Sequence, residues 1–232
     1  MPVTYCGPPP VPADLSSSFN LDPVLLLALF ALAIGLRRDK AGLAAVAVLS
    51  IAFVSPLCAL SAALFSARVV HHILLVAVAA PLLAMALPSR GRAGITVPFV
   101  ASTAVLWAWH LPAAYDAALA SVPLYWVMQL SLLGTAIVFW RAVLAEGRSL
   151  MDRLGFVVAA FAQMGLLGAL LTFAPGPLYA AHLFAPLAWG MTPLQDQALG
   201  GLIMWVPAGI PYAVAAVVIA RQGWARLKAT RA

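Results

Sequence analysis

The sequence predicts an all-α, polytopic membrane protein: a bundle of seven transmembrane helices, with the N-terminus outside and the C-terminus inside. Three observations predict this class. Apolar residues make up 64% of the 232-residue chain, charged residues make up only 9%, and most positive charges fall in alternate loops. Because one span needs roughly 20 apolar residues, this length leaves room for about seven helices and no separate soluble domain.

The predicted spans are apolar runs bounded by charge, proline or glycine. They lie near residues 23 to 36, 42 to 64, 69 to 87, 95 to 110, 123 to 141, 154 to 173 and 197 to 220. The transmembrane domain therefore covers residues 23–220. It is preceded by an extended, proline-rich arm over residues 1–22 and followed by a basic cytoplasmic tail over residues 221–232.

The first span has the shortest uninterrupted apolar run and could be re-entrant. Asp22 as N-cap and Pro23 at the first helical position favour a helix that starts there and crosses the membrane. No basic region precedes the run and no small-residue cleavage site follows it, so we do not expect a cleavable signal peptide.

Positive charge orients the predicted bundle, because lysine and arginine are retained on the cytoplasmic side. One set of alternate loops and the tail collect Arg37, Arg38, Lys40, Arg90, Arg92, Arg141, Arg148, Arg153, Arg221, Arg226, Lys228 and Arg231. The opposite side has Arg68 alone. The net charge of +6 is thus a topology signal, and we expect contact with the lipid bilayer and no nucleic acid.

The candidate metal ligands fall on the predicted outer side. These are all four histidines with a cysteine and two carboxylates: His71, His72, His110, His182, Cys6, Asp116 and Asp196. Imidazole accepts copper or zinc, and thiol and thioether groups favour Cu(I), so this set is typical of a transition-metal site.

The adjacent histidines His71 and His72 lie about 100° apart around a helix, so they cannot easily face the same neighbouring helix. We expect one of them to be a ligand and the other to have an interfacial or supporting role. Arg68 stands one turn before His72 on the same face. Its charge would oppose a nearby cation unless Asp116 or Asp196 offsets it.

The fourth and the last spans carry further candidates. Pro112 should break the helix just after His110 and redirect the chain. In the last span Asp196 and Met204 share a helical face, but Met204 lies about 12 Å deeper, so the two are not expected to share one ion and Met204 has a supporting or packing role. Asp196 could also serve simply as the N-cap of this span, and Gly200 would permit close approach of a neighbouring helix.

The two cysteines are expected to be unbonded more often than bonded, because Cys58 falls inside a predicted span. Cys6 would then lie on a mobile arm, where its soft thiolate could pass Cu(I) to or from the bundle.

The motifs "HHILLVAVAAPLLAMALP", "WHLPAAYDAAL", "GTAIVFW" and "TPLQDQALGGLIMW" together resemble the multi-span CtaG family of cytochrome c oxidase assembly proteins over roughly residues 20 to 220. The resemblance implies a seven-helix protein of the bacterial cytoplasmic membrane that assembles haem-copper oxidase. It further implies copper handling on the outer face, with oxidase subunits and periplasmic copper chaperones as partners. Positions that match the family motifs are His72, His110, Asp116 and Asp196, together with Gly200, Gly201, Met204 and Trp205 of the last span.

The chain departs from the family pattern at two places. Arg68 stands where many relatives carry a histidine, and Tyr125 with Gln129 stands where others show a histidine pair. A metal site would therefore need a substitute ligand, the candidates being His71, His182, Cys6 and Met128.

Other functional classes fit the sequence less well. A retinal-type pump is excluded because the last span has no lysine for a Schiff base. A proton-coupled transporter would need carboxylates near the membrane midplane, whereas every aspartate and glutamate of this chain falls near the end of a predicted span. A copper permease and a haem protein ligated by His72 and His110 remain alternatives. No nucleophile–base pair, phosphate loop or CxxC pair is found, so we expect no enzyme.

Overall fold

The computed structural model describes residues 4–87, 94–145 and 147–229. This part of the chain is mainly helical, and its β-type pairing is a single isolated antiparallel bridge between Thr4 and Gly7. Three of the charges counted on the cytoplasmic side, Arg90, Arg92 and Arg231, lie outside the described residues.

Eleven α-helices are described in these ranges. They are α1 (Pro23–Gly35), α2 (Lys40–Phe53), α3 (Pro56–Ala63), α4 (Phe65–Ile73), α5 (Ala80–Ala86), α6 (Thr96–Trp109), α7 (Pro112–Ala120), α8 (Val122–Leu144), α9 (Leu150–Thr172), α10 (Pro193–Trp205) and α11 (Gly209–Ala229). A π-helix over Leu74–Ala79 joins α4 to α5. Short 3-10 helices cover Pro12–Ser17, Ala180–His182 and Ala185–Trp189.

Four segments are long and apolar enough to cross a membrane: Phe65–Ala86, Val122–Leu144, Leu150–Thr172 and Pro193–Ala225. Two bent pairs raise the number to six if each pair is one span: α2 with α3, bent by 46°, and α6 with α7, bent by 75°. The helix α1 is shorter, at 13 residues. The chain thus has the helices of a membrane protein, with four to six candidate spans among the described residues.

Local signals explain where several helices begin. The Asp22 carboxylate accepts hydrogen bonds from the backbone N–H groups of Val24 and Leu25, with Pro23 at the first helical position, as the sequence predicts. Pro112 lacks the N–H that would continue α6, and the 75° bend lies at this point. The start predicted for α10 was wrong: its N-cap is Thr192 in a capping box with Gln195, and Asp196 lies inside the first turn.

The core is formed where the long helices cross. Helix α10 packs on α9 and α4, and α8 packs on α5 and α6, while α11 lies against α9 and α1 packs on α2. The crossing of α9 and α10 is close because a Cβ on Gly168 would lie 2.7 Å from the Gly201 carbonyl oxygen and 3.2 Å from the Met204 side chain. A Cβ on Gly200 would meet the Phe65 ring at 2.6 Å. The close approach expected at Gly200 is therefore confirmed, and Gly168 on α9 adds a contact that the sequence did not predict.

Candidate functional site

Helix α4 carries the paired histidines, and another helix caps its N-terminus. Its own N-cap residue, Leu64, provides no capping side chain. The Asp196 carboxylate of α10 accepts hydrogen bonds from the backbone N–H of Phe65 at 2.6 Å, the N–H of Ser66 at 3.1 Å and the Ser66 hydroxyl at 2.5 Å. This carboxylate therefore satisfies the unpaired amides at the start of α4 and holds α4 against α10.

The two histidines of α4 are buried and face different neighbours. The His71 ring packs edge-on against Phe53 of α2, with the ring centroids 4.8 Å apart. The His72 ring lies 6.0 Å from the His110 ring, at an interplanar angle of 78°. Neither histidine has a hydrogen-bond partner for either ring nitrogen. The predicted divergence of the two imidazoles is therefore confirmed.

The chain leaves regular α-helix immediately after these histidines. Residues 74–79 form the π-helix, and Pro81 follows in α5. The Trp140 indole N–H of α8 donates a hydrogen bond of 2.9 Å to the Val76 carbonyl oxygen within this segment. Such single π-turns inside helices are frequent at functional sites, and here the irregular turn directly follows the histidine pair.

His110 lies at the bend between α6 and α7 and is 5% exposed. Its Nδ1–H donates to the Leu106 carbonyl oxygen at 2.7 Å, which leaves the Nε2 lone pair available. The His110 carbonyl oxygen accepts a hydrogen bond of 2.9 Å from the Tyr179 hydroxyl. The histidine is thereby held with one coordinating nitrogen free.

Asp116 and His182 lie in a second network, which ties α7 to the connection before α10. The Asp116 carboxylate accepts hydrogen bonds from the N–H groups of Ala180 and Ala181, both at 3.1 Å. The Nε2 of His182 accepts from the Tyr115 hydroxyl at 2.8 Å, and its Nδ1–H donates to the Ala63 carbonyl oxygen at 3.2 Å. Burial lowers the pKa of His182 to about 4, so the ring is neutral at physiological pH.

Cys6 is covalently bonded to Cys58, with a Cα–Cα distance of 5.3 Å. The expectation of an unbonded pair was wrong, and so was that of a mobile arm at Cys6, which is 6% exposed. The chain brings the two thiols together because the arm folds back over the bundle: Tyr5 stacks on Tyr125 of α8, with ring centroids 5.2 Å apart. In this form Cys6 has no free thiolate to offer a metal.

The predicted ligands thus divide into two groups. His71, His72 and His110 lie in one cluster beside Arg68, whereas Asp116, Asp196 and His182 are occupied by structural hydrogen bonds. Met204 is 1% exposed and packs at the crossing of α9 and α10. Within the described ranges, no three side chains of histidine, cysteine, aspartate or glutamate are grouped closely enough to hold a metal ion.

The two carboxylates that could have offset the charge of Arg68 have other partners. Asp116 and Asp196 both bond to backbone amides elsewhere. The Arg68 guanidinium lies over the Tyr125 ring, with its carbon 5.3 Å from the ring centroid. The hydroxyl groups of Tyr115 and Tyr125 approach it, but none of its three nitrogens completes a well-formed hydrogen bond.

Three residues around the site, Phe65, Ser66 and Gln129, were not among the predicted site residues. The bonds of Ser66 and Phe65 to Asp196 could not be predicted, because these residues stand 130 and 131 positions away from it along the chain. Ser66 could have been noticed because it is a polar residue at the start of an apolar run. Gln129 of α8 lies one turn after Tyr125 and is 1% exposed. A polar residue within an apolar helix was the signal that could have identified it.

Comparison with known proteins identifies the family. Residues 36–226 match the model of the cytochrome c oxidase caa3 assembly factor family, Caa3_CtaG. No curated protein and no solved structure matches the chain. The family match covers the capped start of α4, the histidine cluster and the glycine crossing of α9 with α10. The chain therefore belongs to the cytochrome c oxidase caa3 assembly factor family.

Proposed function

We propose that this assembly factor handles copper for the oxidase, holding Cu(I) as cargo between His72 and His110 on the outer face of the bacterial cytoplasmic membrane. The observation that carries the proposal is the pairing of two buried imidazoles from different helices, 6.0 Å apart between ring centroids. A metal bound linearly between two imidazole nitrogens, at about 2.0 Å from each, would separate the ring centroids by about 6.4 Å. The observed spacing is compatible with such a pair.

The available nitrogens support the same pair. Both ring nitrogens of His72 lack partners, and His110 keeps Nε2 free because Nδ1–H is committed to Leu106. Imidazole is an acceptable ligand for copper. With His72 and His110 as ligands, and with the His71 ring packed against Phe53, the ion would be held in low coordination, which suits a protein that must pass it on.

The two carboxylates have a different role in this proposal. Asp196 positions α4 and therefore His72, since it caps that helix. Asp116 fixes the segment that contains Tyr179, whose hydroxyl bonds to the His110 carbonyl oxygen. Both are positioning residues, so their loss should disturb the histidine pair without removing a metal ligand.

The outer location rests on charge. Lysine and arginine are strongly biased toward the opposite set of loops, and such residues are retained in the cytoplasm. We propose on this basis that the histidine cluster lies toward the periplasm, where oxidase subunits and copper chaperones could exchange the ion. No catalytic step is assigned to the chain.

The test is Cu(I) affinity, measured anaerobically by competition with a coloured Cu(I) chelator. His72→Ala and His110→Ala should each lower the affinity by more than about tenfold, a loss of at least about 1.4 kcal/mol, and should lower oxidase activity in cells. His71→Ala is the matched control, because it leaves a cavity of the same size on the same helix but removes no proposed ligand. It should change the affinity by less than about threefold.

Two outcomes would reject this assignment. If the three variants bind Cu(I) equally well, the histidine pair does not hold copper. If the purified protein instead shows the visible absorption bands of haem, and these bands disappear in His72→Ala and His110→Ala, the same pair serves as axial ligands of a haem. Uptake of copper into proteoliposomes that depends on His72 would favour the permease alternative.

A further inference from the structure

Helix α11 packs on α9 with one of its faces. A Cβ on Gly209 would lie 2.9 Å from the Phe161 ring, and a Cβ on Gly223 would lie 2.8 Å from the Leu150 side chain. Ile219, which lies between these glycines, is fully buried. Because positions that recur every three or four residues share a face of a helix, one side of α11 is held against the bundle along most of its length.

The opposite face of α11 changes from apolar to cationic along the helix. Its residues also recur every three or four positions, and all of them are exposed: Ile210, Val214, Val217, Arg221, Trp224 and Lys228. We call these six residues the α11 stripe. Its apolar side chains are 57–65% exposed, so this face is available to a partner that is apolar over one part and negatively charged over the other.

The length of the apolar part fits one leaflet of a bilayer. At a rise of about 1.5 Å per residue, Arg221 lies about 16 Å along the helix from Ile210. The hydrocarbon core of a bilayer is about 30 Å thick, so one leaflet contributes about 15 Å. With the apolar part of the α11 stripe beside acyl chains, Arg221, Trp224 and Lys228 would lie at the level of the lipid head groups.

The cationic part of the stripe is built around Trp224. The Lys228 ammonium lies over the indole ring, 5.8 Å from its centroid, and is thereby directed back toward Arg221. Tryptophan prefers the interface between membrane and water. Beside this part, Leu150 contacts Gly223, and Arg148 stands two positions before Leu150 with an Nε that has no hydrogen-bond partner among the described residues.

We propose that the α11 stripe binds an anionic phospholipid, with an acyl chain along its apolar part and the phosphate beside Arg221 and Lys228. A guanidinium matches the geometry of a phosphate, and an ammonium adds a point charge. Clusters of lysine and arginine next to a transmembrane helix attract anionic lipids in this way. The proposal goes beyond copper handling and does not depend on it, because the histidine cluster contributes no residue to the stripe.

The test is quenching of Trp224 fluorescence by brominated phospholipids in bilayers that contain the purified full-length protein. The chain has seven tryptophans, so the signal of Trp224 is the difference between the native protein and Trp224→Phe. Brominated phosphatidylglycerol and brominated phosphatidylcholine have the same acyl chains but differ in net charge. We expect phosphatidylglycerol to be preferred at Trp224 by more than about fivefold, since each lysine or arginine near the surface contributes about that factor.

Two double variants locate the head group. Arg221→Gln with Lys228→Gln should lower the preference for phosphatidylglycerol to less than about twofold. The melting temperature should stay unchanged, because both side chains are exposed. Arg37→Gln with Lys40→Gln is the matched control: it also removes two exposed cations, but from the connection between α1 and α2. It should keep the native preference at Trp224.

Several results would overturn the proposal. Equal quenching by the two lipids in the native protein would mean that the stripe contacts lipid without selecting its charge. An equal loss of preference in both double variants would show a diffuse attraction by all basic loops. If glycerol 1-phosphate displaces phosphatidylglycerol, the cations bind a small phosphate ion instead of a lipid. These results leave the Cu(I) affinity of His72→Ala untouched, so the two proposals fail separately.

Discussion

At the scale of single residues, four aspartates of this chain stabilise helix ends. Asp22 and Asp39 cap the helices that follow them, while Asp116 and Asp196 accept backbone hydrogen bonds from helices distant in the sequence. Each carboxylate satisfies N–H groups that the first turn of a helix leaves unpaired. The same residue types suggested metal ligands, but the described part of the bundle uses these carboxylates for helix packing.

Replacement of Asp196 tests this role. Asp196→Asn keeps one acceptor oxygen but removes the negative charge at the N-terminus of α4, where the Phe65 and Ser66 amides point. Because buried hydrogen bonds to a charged group contribute about 1.5–3 kcal/mol, we expect a lower melting temperature and less folded protein. Thermal unfolding of the purified variant measures the effect.

Asp116→Asn is the matched control for that substitution. Its carboxylate also accepts two backbone hydrogen bonds, but the contact is solvent-exposed, so the loss of stability should be smaller. If Asp196→Asn is as stable as the native protein yet fails to support oxidase maturation, the carboxylate has a functional role that its hydrogen bonds do not explain.

At the scale of helices, small residues determine how closely α9 and α10 approach. A Cβ on Gly201 would collide with the backbone of Gly168 and Thr172, and a Cβ on Gly168 would lie 3.0 Å from the Trp205 amide nitrogen. Backbone atoms cannot move aside as a flexible side chain can, so these contacts require glycine on both helices.

We therefore expect Gly201→Leu to separate α9 from α10 and to destabilise the protein severely, by more than about 3 kcal/mol, as overpacking at a rigid contact does. The expected readouts are loss of folded protein in gel filtration and loss of oxidase activity. Gly155→Leu on α9 is the control, because nothing lies within 4 Å of a Cβ at that position. Equal tolerance of both substitutions would contradict the close crossing.

Features of individual helices could be predicted from the sequence, because their causes are local. The cap at Asp22, the bend at Pro112 and the divergence of His71 from His72 depend on residues a few positions apart. Gly200 indicated a close approach, but its neighbour, Phe65, is distant in the sequence. The Asp196 cap and the Cys6–Cys58 bond depend on which distant segments meet. Hydrophobic periodicity does not encode such pairings, so these were wrongly predicted.

At the scale of the whole molecule, the N-terminal arm is an integral part of the bundle. The disulfide joins Cys6 to α3, and the Trp189 indole N–H donates a hydrogen bond of 3.1 Å to the Pro10 carbonyl oxygen. A disulfide is typical of proteins or segments in an oxidising compartment. It therefore supports the side of the membrane that the positive charges predict for this arm, whereas the number of spans crossed on the way to the C-terminus stays a prediction.

The orientation can be tested with single cysteines, since both native cysteines are bonded to each other. Ala188 is exposed in the 3-10 helix before α10, and Lys40 is exposed at the start of α2. In intact cells with a permeabilised outer envelope, an impermeant maleimide should label Ala188→Cys, and it should label Lys40→Cys only after the cytoplasmic membrane is opened. The positive charges beside Lys40 favour the cytoplasm for that loop. The reverse labelling pattern would place the segment bonded to Asp116 in the cytoplasm, and the copper exchange proposed for His72 and His110 would then have to occur on that side.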